Sequence, residues 1–497
     1  MNLLSAFLLV LSYPPFNFWW LAWLGLIPLF ISLTKTKNSK QSFFQGYLFG
    51  LLFWLGTIWW VGYVTIFGAV MLILYLSLYS GIFAWIFYRL WKKGIRDFRF
   101  ILLISGAWTI LEWIRSYLFT GFGWNLLAYS QASNLLLIQI ADIVGAFGVS
   151  FLVVWVNGTV FLLCRRGRPL CLPEQNMVGA NNYSPLQRAT TGGCPYVWAT
   201  CILTGFVFAY GYYRLNEKIP TQPISIAVIQ GNVPQNIKWE EQYRSMLFER
   251  YEILTKTAAL DHPQLIIWPE TSIAEDFRNP EIQGRIAGIA REANSFLLVG
   301  APWSSQTTES GKWKEETDGY YYNSAVLFDP KGNLVQKYDK LHLVPYGEFI
   351  PFEKQFPFQR NWIVTGDFIG GKEYTVFSAP SSQPLNPPLA EAPSQVNFSV
   401  LICFEDIFPG LARRFVKKGA QLLINVSNDA WFGESGAAFQ HAQASVFRAV
   451  ENRVPVVRAT NTGFSCFIDS RGRIYEKVPS FKTEYLTAKV EVPAGLR

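Results

Sequence analysis

The sequence has few charged residues, few histidines and no paired cysteines. Only 16% of its 497 residues are charged, whereas a soluble protein of this size has about 25%. Its six cysteines include no CxxC pair, which indicates neither a disulfide scaffold nor a zinc site. The three histidines, His262, His342 and His441, are too scattered to predict a metal cluster. We therefore expect no metal and no other cofactor.

The net charge of +8 does not predict a nucleic-acid partner. A nucleic-acid site needs its basic residues gathered on one surface. Here many of them lie in short loops between apolar runs. This placement is typical of a membrane protein rather than of a nucleic-acid-binding protein.

Apolar residues make up 51% of the chain, and the long apolar runs lie in the first 215 residues or so. We predict a helical membrane domain over 1–214, a globular domain over 215–490 and a short tail over 491–497. Because roughly 20 apolar residues cross a bilayer, we expect about seven spans, near 1–13, 17–34, 44–62, 67–88, 100–118, 135–163 and 196–213. The first run lacks a basic leader and a cleavage site, so a signal peptide is the weaker interpretation.

The loops between the runs predict the orientation. Basic residues follow the second, fourth and sixth runs, whereas the alternate short loops contain no Lys or Arg. By the positive-inside rule the basic loops are cytoplasmic. The polar loop over 165–195 is then a cytoplasmic insert, and the globular domain lies on the opposite, periplasmic side of a bacterial inner membrane.

Glu112 and Arg115 are two charged residues within the fifth predicted span. Charges inside a membrane are costly and often functional. Lying three residues apart on one helix face, they also suit a pair that neutralises itself near the interface. The sequence leaves both interpretations open.

The second half of the chain has short apolar runs separated by turns or helical segments. Runs such as "ISIAVIQGN", "LIIWPET", "FSVLICFED" and "AQLLINVSND" are typical of strands buried on both faces. Helical segments over 239–259 and 436–453 alternate with them. The pattern predicts an α/β domain of stacked sheets with helices outside.

Several of these strands end in a reactive residue, and sites in α/β sheets gather at strand ends. Glu270 follows "LIIWP", Cys403 lies in "VLICFED", and Lys340 follows a predicted hairpin. A cysteine nucleophile needs a base and a group that holds the oxyanion, and Glu270 and Lys340 suit these roles. Taken singly, each residue has an ordinary interpretation, because a free cysteine is usually a core residue. His342 equally suits a site or a packed loop.

Together the three motifs resemble the nitrilase superfamily. "WPET", "YDKLHLVPYGEF" and "ICFED" carry Glu270, Lys340 and Cys403 in the order of that superfamily's Glu-Lys-Cys triad. With a helical membrane half in front, the chain resembles one family in particular, the bacterial apolipoprotein N-acyltransferases. "TGFGWNLLAYSQ", "IQGNVPQNIKW" and "AVENRVPVVRATNTG" also match it. The resemblance implies an αββα sandwich behind a polytopic helical domain.

The resemblance also implies an activity and a set of site residues. The family transfers an acyl chain from a phospholipid, through a cysteine thioester, to the α-amino group of the lipid-modified cysteine of an apolipoprotein. We expect phosphatidylethanolamine as the donor. Cys403 would be the nucleophile, Glu270 the base and Lys340 the oxyanion donor. By the same resemblance the supporting residues would be Trp239 on an arm near the site, Glu348 and Glu405 as further carboxylates, and Phe404 as an aromatic wall.

Two features depart from the family pattern. Phe404 stands where the family often has tyrosine, which removes a hydroxyl. The chain ends at "TAKVEVPAGLR", where the family normally has a last membrane helix. The Pro-rich stretch over 343–358 suits either a segment that dips into the lipid interface or a packed loop.

Two other functions are compatible with parts of the pattern. A membrane-anchored nitrilase or amidase would keep the triad but would act on a small amide. A transporter or scaffold with a degenerate nitrilase-like domain would not need the triad, and the few charges within the spans argue against it.

Overall fold

The computed structural model describes residues 1–166, 195–304, 321–351, 353–355, 368–381 and 395–495. Within them the chain forms two compact units, Met1–Asn216 and Glu217–Arg497. Nearly all of the predicted 165–195 insert lies outside the described residues, as does part of the 343–358 stretch.

The first unit is helical, and its helices fall where apolar runs occur in the sequence. They are α1 Asn2–Leu11, α2 Ile27–Leu33, α3 Ser39–Ile58, α4 Ile66–Lys92, α5 Phe98–Tyr117, α6 Leu135–Ile138, α7 Ala141–Arg166 and α8 Pro195–Asn216. Among the described residues, three helices are long and apolar enough to cross a membrane: Ser39–Tyr63, Ile66–Lys92 and Ala141–Cys164. The count of seven spans stays a prediction.

Small residues allow α3 and α4 to pack closely. A Cβ atom added at Gly46 would lie 2.4 Å from the carbonyl oxygen of Ser80, and one at Gly50 would lie 2.9 Å from Cα of Ser77. Gly-to-small contacts of this kind let two helix backbones approach each other within a membrane. Asn38 and Thr65 cap the N-termini of the two helices with their side chains.

Glu112 and Arg115 are buried and hold the loop that follows α5. Arg115 donates to the carbonyl oxygens of Phe122 at 2.9 Å and Trp124 at 2.8 Å. Glu112 Oε1 accepts the backbone N–H of Leu127 at 2.8 Å. Both charges thus form hydrogen bonds with backbone groups of the segment that follows α5, as buried backbone at membrane depth requires. These contacts favour a structural role for the two residues.

The second unit contains two six-stranded sheets, with the orders β12-β1-β2-β3-β4-β5 and β11-β10-β9-β8-β7-β6. The strands are β1 Thr221–Gln230, β2 Leu265–Ile267, β3 Phe296–Ser304, β4 Tyr321–Phe328, β5 Leu334–Asp339, β6 Phe377–Pro380, β7 Gln395–Ile402, β8 Leu422–Ser427, β9 Val456–Thr460, β10 Cys466–Ile468, β11 Ile474–Lys477 and β12 Glu484–Pro493. The last strand extends beyond residue 490, so the predicted tail begins inside it.

Helices cover the outer face of each sheet. On the first sheet are α9 Arg244–Ala259 and α10 Pro280–Ala293, and on the second are α11 Pro409–Lys417 and α12 Ala437–Asn452. Leu247 and Ile286 of these helices join Ile266 and Trp268 of the sheet in one buried core. Between the sheets the packing includes polar contacts, such as Ser465 Oγ donating to Gln230 Oε1 at 2.6 Å. The predicted αββα sandwich is confirmed.

Candidate active site

Three strand ends bring Glu270, Lys340 and Cys403 together. Glu270 comes three residues after β2, Lys340 directly follows β5, and Cys403 directly follows β7. The first two belong to one sheet and Cys403 to the other. A hydrogen bond joins the two sides, because the backbone N–H of Asn428, after β8, donates to Glu270 Oε2 at 2.8 Å. The site therefore depends on the stacking of both sheets.

Lys340 lies between two carboxylates. Its Nζ is 2.9 Å from Glu348 Oε1 and 3.6 Å from Glu270 Oε1. The side-chain amide of Asn323, on β4, donates to Glu270 Oε1 at 2.8 Å and to Glu348 Oε1 at 2.7 Å. Glu348 Oε2 also accepts the backbone N–H of Val344 at 2.8 Å. All three charged side chains are held by several partners and are almost completely buried.

The electrostatics favour a charged lysine and a neutral thiol at rest. Burial lowers the pKa of Lys340, but Glu348 and Glu270 outweigh it and raise this pKa above its ordinary value. Burial and the charge of Glu270 raise the pKa of the Cys403 thiol well above its ordinary value, although Lys340 opposes them. Since the thiolate is the nucleophilic form, Cys403 needs a neighbouring base at the moment of reaction.

The backbone at Cys403 is strained. The predicted strand over 398–406 ends at Ile402, and a short 3₁₀ helix over Cys403–Ile407 follows. Cys403 has φ +52°, a left-handed conformation that costs a non-glycine residue about 1–3 kcal/mol. Its carbonyl oxygen accepts hydrogen bonds at 3.1 Å from Asn425 Nδ2 and from His441 Nε2. These bonds hold the strained turn.

Glu405 is fully buried and ties this turn to the loop after Lys340. It accepts hydrogen bonds from Tyr338 Oη at 2.8 Å, from the N–H of Leu341 at 2.7 Å and from the N–H of Ile402 at 2.7 Å. Burial raises the pKa of Glu405 to about 7, although the N–H groups of Ile402 and His342 and the charge of Lys340 lower it. The resemblance predicts Glu405 as a carboxylate of the site, and in the structure it bonds the Tyr338 hydroxyl and the supporting backbone.

The aromatic residues named from the sequence lie in different surroundings. Trp239 is about half exposed. Phe404 is buried and packs edge-on against Phe408, with ring centroids 5.3 Å apart. The ring of His342 also lies against Phe408, at 3.9 Å between centroids. The structure thus places His342 in a packed aromatic group.

Lys238 was not identified from the sequence. It is 3% exposed, and its Nζ donates to the carbonyl oxygen of Glu270 at 3.3 Å. Burial lowers its pKa to about 8, while the charges of Glu270 and Cys403 oppose this. In the sequence, its position next to Trp239 was the feature that could have indicated a site residue. A second cation therefore lies beside the base.

The sequence also did not identify a buried charged group behind Cys403. Asp406, Asp429, His441 and Arg458 are at most 2% exposed and contact one another. In the sequence, the charged Arg458 within the apolar strand "VPVVRAT" was the feature that could have indicated this group. In the part of the chain that the structure describes, no group of three or more His, Cys, Asp or Glu could hold a metal ion.

Two family models match the chain. Residues 5–159 match the apolipoprotein N-acyltransferase N-terminal domain, and residues 225–494 match carbon-nitrogen hydrolase. Together they cover most of both units.

Curated relatives match over nearly the full length. A protein from Geobacter metallireducens named apolipoprotein N-acyltransferase is 35% identical, covering 100% of this chain and 89% of its own. Proteins of the same name from Chlorobaculum tepidum and Pasteurella multocida are each 31% identical and cover 99% of this chain, with 91% and 89% of their own lengths matched.

Solved structures match about half of the chain. The NitFhit protein of C. elegans has a TM-score of 0.39 at 18% identity, covering 55% of this chain and 62% of its own. A carbon-nitrogen hydrolase from Helicobacter pylori has a TM-score of 0.38 at 18% identity, covering 54% of this chain and 89% of its own.

Proposed function

Because this chain belongs to the apolipoprotein N-acyltransferase family, we propose that Cys403, Glu270 and Lys340 are the groups that carry its acyl transfer. The protein is a membrane acyltransferase of the nitrilase superfamily that acts in lipoprotein maturation. We also propose which phospholipid is the acyl donor and on which side of the membrane the reaction takes place. Membership over the full length does not favour a small-amide hydrolase or a non-enzymatic scaffold.

The first step loads the enzyme with an acyl chain. The Glu270 carboxylate accepts the proton of the Cys403 thiol, and the thiolate attacks the ester carbonyl of a phospholipid. The Lys340 ammonium has three N–H groups. Two of them face Glu348 and Glu270, and the third would donate to the tetrahedral oxyanion. The C–O bond then breaks, Glu270 returns its proton to the leaving glycerol oxygen, and a lysophospholipid departs.

The second step transfers the acyl chain to the acceptor. The neutral α-amine of the diacylglyceryl-cysteine attacks the thioester carbonyl, and Lys340 again holds the oxyanion. Glu270 accepts the proton of the amine, the C–S bond breaks, and the departing thiolate takes that proton from Glu270. The thioester splits one difficult transfer into two easier steps, and the enzyme ends each cycle in its starting protonation state.

The observation that carries this assignment is the arrangement of Glu270. Both of its oxygens are bound, one by Asn323 and the other by the N–H of Asn428, so the carboxylate cannot rotate freely. Asn428 lies at the end of β8, beside the strand that delivers Cys403. This contact supports a base held in a fixed position relative to the thiol.

The sequence and the lipid chemistry support a periplasmic, membrane-proximal site. The loops rich in Lys and Arg predict that the second unit lies opposite the cytoplasm. Phosphatidylethanolamine is an ester donor available at a bilayer surface, and the acceptor carries its own lipid. We propose both as substrates at the outer face of the inner membrane.

The test uses purified full-length protein in detergent micelles with phosphatidylethanolamine and a synthetic peptide that begins with S-diacylglyceryl-cysteine. Mass spectrometry is expected to show a gain of one acyl mass on the peptide and release of lysophospholipid. A peptide with an acetylated α-amine and the Cys403→Ala protein are the controls, and neither should give product. Transfer by Cys403→Ala would refute the assignment, and free fatty acid in place of acylated peptide would favour a hydrolase.

A further inference from the structure

A buried group of four charged side chains lies behind Cys403, and the mechanism above does not use it. The group consists of Asp406, Asp429, His441 and Arg458. Asp406 follows the nucleophile in the 3₁₀ turn, Asp429 follows β8, His441 lies on α12 and Arg458 lies on β9. Charges this deeply buried are costly unless they are paired and hydrogen-bonded, so their contacts indicate what they do.

The contacts of His441 favour its protonated form. Its Nε2 is 3.1 Å from the carbonyl oxygen of Cys403 and 2.8 Å from Asp406 Oδ1, and both of these atoms only accept hydrogen bonds. Its Nδ1 is 3.2 Å from Asp429 Oδ1, which accepts, and 3.3 Å from Arg458 Nη2, which also donates to Asp429 Oδ2 at 3.5 Å. A neutral imidazole has only one N–H, whereas an imidazolium donates from both nitrogens. His441 thus serves its oxygen neighbours as a cation.

The balance of pKa effects agrees with these contacts. Burial lowers the pKa of His441, and so does the charge of Arg458. The charge of Asp406 and the hydrogen bonds to Asp406 and Asp429 outweigh them and raise this pKa to about 9. Arg458 donates to Asp406 Oδ2 and to Asn425 Oδ1, each at 2.9 Å. With two carboxylates and two cations, the buried group has no net charge.

Two consequences follow for the nucleophile. First, His441 and Asn425 both donate to the carbonyl oxygen of Cys403. Cys403 is the residue with the strained φ of +52°. Second, Asp429 raises the pKa of the Cys403 thiol, and a neutral His441 would leave one uncompensated negative charge behind that thiol. Loss of the imidazolium would thus loosen the turn and disfavour the thiolate.

We propose that His441 is a positioning residue of the acyl transfer reaction, which as a buried cation holds the carbonyl of Cys403 and cancels the carboxylate charge behind the thiol. The inference rests on the proposed role of Cys403 as nucleophile. His441 itself does not touch the reacting atoms and acts through Cys403.

The test measures how fast Cys403 is acylated and alkylated in full-length protein. His441→Gln keeps an amide donor but removes the charge, and His441→Leu removes both. With phosphatidylethanolamine, His441→Gln is expected to form the thioester at least about tenfold more slowly, the equivalent of one pKa unit, with KM little changed. The pH at which iodoacetamide alkylates Cys403 at half its maximal rate should move upward. His262→Gln, on an exposed loop, is the matched control and should match wild type.

A second measurement keeps the inference testable if the His441 variants do not fold. In wild type, thioester formation is expected to fall as pH rises above about 9, where His441 loses its proton. Asp406, Asp429 and Arg458 face the imidazole, and Ser445 contacts Arg458. Because Asp429→Asn removes one carboxylate, it should move this decline to lower pH.

The outcomes separate the inference from the proposed function. A wild-type protein that forms no adduct on Cys403 would refute the proposed function. A wild-type protein that forms the adduct, together with a His441→Gln variant of equal rate and pH profile, would overturn only the inference. An alkaline decline at the same pH in Asp429→Asn and wild type would also overturn it.

Discussion

Replacing Lys340 with methionine removes the one cation that lies between Glu270 and Glu348. The ammonium is 1% exposed and lies 2.9 Å and 3.6 Å from the two carboxylates. In Lys340→Met both carboxylates remain, and they share the single side-chain amide of Asn323. Two buried negative charges then face each other without the ammonium between them.

The size of the effect follows from these contacts. Breaking a buried ion pair by removing one partner costs about 3–5 kcal/mol, which lowers the melting temperature by roughly 6–20 °C for a unit of this size. Loss of one oxyanion donor lowers kcat by about 10²–10³-fold. We expect Lys340→Met to show both effects.

The stability effect has a defined pH dependence. Without the ammonium, protonation of one carboxylate relieves their repulsion in the folded state. Because the folded state then binds a proton more readily than the unfolded state, its stability rises as pH falls. The difference in melting temperature between wild type and Lys340→Met is therefore expected to be smaller at pH 5 than at pH 8.

A double variant separates stability from catalysis. Adding Glu348→Gln to Lys340→Met removes one of the two facing charges, so it should recover much of the lost stability while thioester formation stays slow. Thermal unfolding and acyl-enzyme formation are measured on the same preparations. Lys331→Met, in the exposed turn before β5, is the control and should change neither. Full activity in Lys340→Met, or a double variant less stable than the single one, would refute the reasoning.

Three further changes test other parts of the account. Arg115→Leu removes the two hydrogen bonds to the carbonyl oxygens of Phe122 and Trp124 and is expected to destabilise the protein by roughly 1.5–3 kcal/mol for each bond to the charged guanidinium, seen as a lower melting temperature. Glu405→Gln places an amide nitrogen opposite N–H donors, which is expected to lower the free energy of unfolding by roughly 1.5–3 kcal/mol per lost hydrogen bond. It should also lower kcat more than it raises KM. Lys238→Met removes the second cation beside Glu270 and should slow alkylation of Cys403 in a folded protein; an unchanged rate would contradict an electrostatic effect of Lys238 on the thiol.

The sequence predicted the parts of the fold that depend on local pattern. Runs that end in Glu270 and Cys403 were recognisable because buried strands are uniformly apolar and a polar residue marks their end, whereas Lys340 was recognisable from the hairpin before it, whose strand β5 is largely exposed. The edge strand β12 was missed because "EYLTAKVEVP" alternates and lies on the outside of its sheet. The strand that was expected to continue to residue 406 ends at Ile402, since the N–H of Ile402 donates to the side chain of Glu405.

Residues whose role depends on long-range packing could not be predicted. Asn323 lies within an apolar strand, and only the fold brings its amide to Glu270 and Glu348. His441 is separated from Cys403 by 38 residues, and its charge state depends on partners from other elements. In both cases the chemistry arises where the sheets and helices meet, which no local pattern encodes.

The central claim is that Cys403 carries the acyl chain between donor and acceptor. The direct measurement is the intact mass of the full-length protein after incubation with phosphatidylethanolamine and no acceptor, followed by peptide mapping. We predict one added acyl mass on Cys403 that neutral hydroxylamine removes, and none in Cys403→Ala or Glu270→Gln. An adduct of equal yield in Cys403→Ala, or a wild-type protein that transfers acyl chains without ever showing the adduct, would contradict the account.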